Sequence, residues 1–171
     1  MSRQQLICGR HKSGKAAGYL LLDALLAVLA AAALLGFAVK ATSDLGISLK
    51  TIQEQIRLQE ARRHILAQLE KTLAYDATKI VLENNKINCV SLTGNKKLVI
   101  YNDKKALYQR TTTGEGTGVN PLSLEDVGVN NLQAAALDAH RLCLSFTLQV
   151  NERRRNVVQV IYCYNARIND G

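Results

Sequence analysis

Few residues in this chain have the type and spacing for catalysis. The histidines are His11, His64 and His140, and the cysteines are Cys8, Cys89, Cys143 and Cys163. His140 and Cys143 come nearest to a base and nucleophile pair, but Cys143 starts a β-type run, where a separation of three sends side chains to opposite faces. Cys89, Cys143, Cys163 and His140 could supply four zinc ligands, yet no C-x-x-C spacing presents them as a site, and buried or bridged thiols are the plainer reading. The glycine-rich stretch Thr112 to Ser123, with Arg110 just before it, has no Lys-Ser/Thr ending and follows a meander, so it reads as a surface loop and not as a phosphate cradle. No catalytic residue, metal or cofactor is expected, and the chain does not read as an enzyme. Two charged features remain: Asp23, a lone acid near the start of an apolar run, and the consecutive Arg153, Arg154 and Arg155.

The segment that carries Asp23 is the most informative in the chain. Tyr19 to Val39 reads YLLLDALLAVLAAAALLGFAV, and at about 1.5 Å per residue it spans roughly 31 Å, the thickness of a bilayer's hydrocarbon core. Arg3, Arg10, Lys12 and Lys15 precede it with no acid among them, which by the positive-inside rule keeps the N-terminus cytoplasmic and exports the rest. A cleaved secretory signal would be shorter and end in a small-x-small site. A lipoprotein reading of Leu6-Ile7-Cys8-Gly9 fails because no apolar stretch precedes Cys8. An acid inside such a run costs about 2.5 to 3.5 kcal/mol at the centre of a membrane helix, so Asp23 is a functional candidate, with an incidental acid at the membrane edge as the bland alternative.

The length, 171 residues, is about one domain's worth. A hydrophobic fraction of 47% and a charged fraction of 21% are those of a folded chain, which removes disordered and fibrous classes. The net charge of +8 suggests nucleic acid until it is located: four of the 22 basic residues lie in the first 18, leaving 18 basic against 14 acidic ones.

Lys15-Ala16-Ala17-Gly18-Tyr19-Leu20-Leu21-Leu22-Asp23 resembles the processing site of the type IV pilin family: a short basic leader ending in Gly, an aromatic first mature residue, an apolar run and an acid five residues in. Tyr19 and Asp23 stand where the family usually has Phe and Glu. The resemblance implies cleavage after Gly18 by a prepilin peptidase, methylation of the new amino group of Tyr19, and assembly into a helical filament with other major and minor pilins on an inner-membrane platform. Cleavage would place a positive amine on Tyr19, and a neighbour's Asp23 could neutralise it among packed apolar helices, where a lone charge is costly. A single-pass inner-membrane protein with its C-terminal domain outside the cytoplasm, incorporated into a pilus or pseudopilus, is the implied location, with lipid around residues 19–39.

The remaining elements must position these features. No proline occurs before Pro121, so the helix is expected to continue to about residue 75 through the soft points Gly36 and Gly46. Leu45, Leu49, Ile52 and Ile56 form an apolar stripe that Leu58, Ile65, Leu69 and Leu73 carry on a shifted face. Contact with the chain's own sheet is the expected role of the stripe, and Arg62, Arg63 and His64 read as a solvated face. Beyond it the period changes to that of strands: Lys86 to Leu92, Lys97 to Tyr101, Ala106 to Thr111, a weak Val127 to Leu132, then a hairpin of Arg141 to Val150 and Val157 to Asn165. The predicted organisation is a leader over 1–18, a transmembrane helix over 19–39, an amphipathic stem over 40–76 and an extracytoplasmic β-rich domain over 77–171. The fold class is α+β, a long N-terminal helix packed on an antiparallel meander, similar to type IV pilins. The order of elements looks like the minor pilin and pseudopilin group (PilW-like, J-type and ComGF-like), which implies a priming subunit of a pilus, a type II secretion pseudopilus or a competence pilus. The alternative is an unprocessed membrane-anchored protein with an external binding domain, one that would bind DNA if Arg153, Arg154 and Arg155 contact nucleic acid; a solvated hairpin tip is their plainer reading.

The last hairpin also yields an expectation for the cysteines. Even-numbered residues are apolar in both runs, so Cys143 and Cys163 share the other face. With Asn151 to Arg155 as a five-residue loop, Val150 pairs with Asn156 and Cys143 lies across from Cys163. A bridge there and two reduced cysteines are both open, with Cys89 left as a buried thiol.

Overall fold

The computed structural model describes residues 14–83 and 85–170; the leader residues 1–13, His11 and Cys8 among them, lie outside the described residues. The chain divides into two compact units, Met1–Lys50 and Thr51–Gly171. The boundary falls inside one uninterrupted helix, α1, Gly14–Glu70.

In the first unit the described residues are helical throughout, and from Tyr19 to Lys50 every side chain is exposed. Alanine, leucine and unbranched side chains dominate, which suits a helix, and Gly36 and Gly46 pass through it without a break. This stretch is long and apolar enough to cross a membrane.

The second unit begins with the distal part of α1. Leu58, Ala61, Ile65 and Leu69 are buried at intervals of three and four, which puts them on one face. A π-helical segment, Lys71–Asp76, continues that face with buried Leu73 and Ala74 and then releases the chain into extended structure at Ala77. Ile52 and Ile56, like Leu45 and Leu49, are exposed. The stripe expected to meet the sheet is therefore only its shifted continuation: the inward face runs from half-buried Thr51 and Glu54 to Leu58 and Ala61, at spacings of three and four, and Ile52 and Ile56 lie off it.

Among the described residues nine strands follow: β1 Ala77–Glu83, β2 Lys86–Ser91, β3 Lys97–Asp103, β4 Ala106–Thr113, β5 Gly116–Pro121, β6 Gly128–Ala136, β7 Arg141–Val150, β8 Arg153–Tyr162 and β9 Arg167–Asp170. They make two sheets, one ordered β5-β4-β3-β2-β1-β9 and one ordered β6-β7-β8. The α+β class holds, but the single antiparallel meander expected from sequence is replaced by these two sheets, the larger of which contains a parallel pair, β1 with β9. Three strands went unrecognised in the sequence. β1 follows the helix without a break, β9 is four residues long, and β5 lies in the glycine-rich stretch read as a loop. All six β5 residues are exposed, so it carries no burial alternation. It is an edge strand, where Pro121, lacking an N–H, is tolerated.

Tight turns set the register. Lys104 and Lys105 both have positive φ (44° and 67°) between paired Asp103 and Ala106, the geometry of a two-residue hairpin turn that matches strand twist. The β3–β4 hairpin also ties the sheets together: the Val129 N–H donates to the Lys105 carbonyl at 2.7 Å, and Asn102 Nδ2 donates to the Val129 carbonyl at 2.5 Å. One cluster, which includes the buried α1 face, Ile80, Ile87, Cys89 and Ile100 from the larger sheet and Leu144, Phe146, Leu148 and Ile161 from the smaller, forms the core.

Candidate functional site

Gly18 and Tyr19 both lie within α1, and Asp23 follows Tyr19 by four residues, one turn along the same face. Tyr19 is exposed at 71% and Asp23 is also exposed. The helix thus presents the aromatic residue and the acid together, on a run whose other residues to Val39 are all apolar or glycine.

The second cluster is at the β7–β8 hairpin, and its register differs from the expected one. Val150 pairs with Arg153 and Cys143 with Val160, across a two-residue turn of Asn151 and Glu152. Asn151 takes a positive φ of 52°, which asparagine tolerates better than most residues. Paired positions therefore sum to an odd number, so even residues of β7 share a face with odd residues of β8. Val157, Ile161 and Cys163 turn inward with Leu142, Leu144, Phe146 and Leu148, while Val158, Val160, Tyr162 and Tyr164 turn outward. Of the two readings open for Cys143 and Cys163, this geometry favours reduced cysteines: the two lie on opposite sides of the hairpin, and both are free thiols, as is Cys89. The sequence reading went astray because Val158, Val160, Tyr162 and Tyr164 look like a core face, and they are not.

Arg153, Arg154 and Arg155 belong to β8 and not to a loop tip. Arg153 is held by Glu54 of α1 at 2.9 Å and donates to Thr51 Oγ1 at 3.0 Å. Asn151 Nδ2 also donates to Glu54, at 2.8 Å. Glu54 therefore clasps both the turn and the first residue of β8 to the helix. Sequence reasoning missed this acid, since nothing local links residues almost a hundred positions apart. Arg154 and Arg155 stay out of the clasp: Arg155 lines one hollow with Gln59, Arg62 and Arg63 of α1, and both arginines line an adjoining one with Gln55 and Gln59 of α1.

At the far end of β8 the outward side chains form an aromatic ladder. Tyr75 stacks on Tyr164 with centroids 5.5 Å apart, Tyr164 meets Tyr162 at 4.9 Å, and Tyr162 lies over His140 at 6.3 Å. The three tyrosines are half or more exposed. His140 is fixed by a 3.0 Å contact of Nδ1 with the Ala166 carbonyl. Asp138 accepts from the His140 N–H at 2.8 Å and from Arg141; these bonds, the one from His140 first, hold its carboxyl below the usual range. Cys143 is on the following strand and makes no pair with His140. Among the described residues no three histidine, cysteine or acidic side chains gather as a metal site.

Burial pushes the Cys89 thiol up to about 12, with a smaller push from the neighbouring Cys163, and burial pushes Cys163 up to about 11. Neither is a reactive thiolate at neutral pH.

The fold and these clusters define an α+β protein with one N-terminal helix suited to a bilayer. No protein family, curated protein or solved structure matches the chain.

Proposed function

We propose that the chain is a prepilin that matures into a minor subunit of a type IV filament, anchored by residues 19–39 and carrying its β-rich domain outside the cytoplasm. The observation that carries this reading is the pairing, one helical turn apart, of Tyr19 and Asp23 on an otherwise apolar exposed surface. A lone acid there is costly in lipid. It becomes favourable if a processed neighbour brings a positive amine to it, and a filament of packed helices supplies one. Gly18 suits the cut because a helix must unwind locally for a peptidase, and glycine gives up about 1 kcal/mol less than alanine on leaving it. The partners are a prepilin peptidase with methyltransferase activity, other major and minor pilins and an inner-membrane assembly platform. The role is structural and priming, without catalysis or cofactor.

Mass spectrometry of the membrane form from cells with an active prepilin peptidase tests the proposal. A methylated N-terminal Tyr19 is expected. An intact leader in those cells would leave the alternative, an unprocessed anchor with an external binding domain, whose nucleic-acid contacts would have to come from Arg154 and Arg155.

A further inference from the structure

β8 is the terminal strand of the smaller sheet, so one of its edges carries a row of backbone donors and acceptors with no strand partner. Proteins usually blunt such an edge with a short strand, a proline, a bulge, a cover or charged side chains, and on β8 the charges are confined to its first three residues. β8 has ten residues, no proline and an unbroken register with β7. Its outward face is polar at the start, with Arg154 and Asn156, and apolar further on, with Val158 exposed at 64% and Val160 at 46%.

Beside this strand two adjoining hollows of about 450 and 420 Å³ run along the flank of α1. Among the described residues the lining strand is β8, through Arg153, Arg154 and Arg155, and the rest of the lining comes from α1. The helix contributes Arg62 and Arg63, and the one acid in the lining is Glu70. Arg153 is neutralised by Glu54, whereas the other four arginines have no ion-pair partner among the described residues.

We propose that the outer edge of β8 binds an extended acidic peptide segment of another protein as a fourth strand. Backbone pairing with β8 supplies the bulk of the contact, and alternate side chains fall on opposite faces of the added strand. Those on the helix side meet Arg62, Arg63 and Arg155 and are acidic; those on the outer side continue the Val158 and Val160 surface and are apolar. A nucleic acid fits less well, because it has no backbone ladder to offer and the exposed tyrosines sit at the opposite end of β8 from the arginines. A second copy fits less well on charge: residues 51–171 hold 16 basic and 12 acidic side chains, a net of +4. The proposal does not depend on whether α1 enters a filament.

The test uses the full chain in detergent micelles and a fluorescent ten-residue peptide of alternating Glu and Val, with empty micelles as the blank. Saturable binding is expected, with slowed amide exchange in β8. Arg62→Glu with Arg63→Glu, both on the helix and outside the paired positions of the β7–β8 ladder, should weaken it at least tenfold while leaving the circular dichroism unchanged. The same peptide N-methylated at alternate residues keeps its charge and loses its backbone donors, and it should not bind. Binding of the methylated peptide, equal binding by a ten-residue oligothymidylate, protection appearing away from β8, self-association in place of peptide binding, or no binding at millimolar peptide would each overturn the proposal.

Discussion

Cys143 lies directly across from Val160 in the β7–β8 ladder, and Cys163, three residues further on, is turned to the buried side. A bridge between residues on opposite faces of a hairpin would require the backbone to move, because a disulfide tolerates only a narrow range of Cα and Cβ separations. Non-reducing peptide mapping should find no Cys143–Cys163 link, even after export to an oxidising compartment. Brief alkylation at neutral pH should label Cys143, which is half-buried, before Cys89 and Cys163, which become accessible only on unfolding.

The buried thiols also set an alkaline limit on stability. Their folded pKa values, about 12 for Cys89 and about 11 for Cys163, lie above the ordinary thiol value of 9.0 that holds in the unfolded chain. Below pH 9 both states hold these protons and the stability is independent of them. Above it the unfolded chain releases them first, so stability falls as pH rises toward the folded values, by about 1.4 kcal/mol per pH unit for each thiol. Denaturant unfolding followed by circular dichroism between pH 8 and 11 should show the fall, and Cys89→Ala should reduce its slope. An unchanged slope in that variant would mean other groups cause the loss.

The helix and most antiparallel strands were legible because each has a strong local signal: apolar spacing of three and four from Leu58 to Leu69, and short β-type runs from Lys86 to Thr111. The two-sheet arrangement was not, since β9 pairs with β1 across more than eighty residues and has only four residues of its own. The β7–β8 register failed for a definite reason. Alternation tells which residues share a face but not which face is buried, and Tyr162 and Tyr164 are apolar enough to pass for core. A two-residue turn in place of five reversed the parity and carried every β8 side chain to the other side. The arginines suffered the same error, so the groove they line with α1 was invisible to a reading that placed them on a loop.

The clasp on that turn is open to direct measurement. Asn151 contributes a positive φ and a 2.8 Å hydrogen bond to Glu54. Asn151→Ala should lose both and cost about 1 to 3 kcal/mol. Asn151→Gly keeps the backbone geometry and loses only the side-chain bond, for a cost of about 1 kcal/mol. Glu54→Gln removes the charge opposite Arg153, whose side chain is more than a third exposed, so its cost should stay near 1 kcal/mol or below. Chemical denaturation of the three variants checks the order; equal losses for the alanine and glycine variants would show that the backbone conformation is not strained.

Gly94 tests the same principle in the β2–β3 turn without any side-chain bond. Its φ is +70° and a Cβ there would meet no atom within 4 Å, so Gly94→Ala isolates the backbone cost of about 1 to 2 kcal/mol. A fall in melting temperature with no change in near-ultraviolet circular dichroism is the expected result.

Asp23 is where the proposed filament role can fail most clearly. Removing its charge lowers the cost of placing residues 19–39 in a bilayer, so Asp23→Ala should insert at least as well as the parent chain. If the acid serves a neighbour's Tyr19 amine, the same change leaves that amine unpaired among apolar helices, and recovery of the variant in sheared filaments should drop at least tenfold while its membrane pool is maintained or grows. Asp23→Glu keeps the charge and adds one methylene, and it should assemble. Asp23→Asn separates charge from shape: it matches the size of aspartate, so a loss like that of alanine assigns the effect to the charge. Equal filament recovery for Asp23→Ala and the parent would remove the reason for an acid one turn from Tyr19 and with it the ion-pair account of assembly.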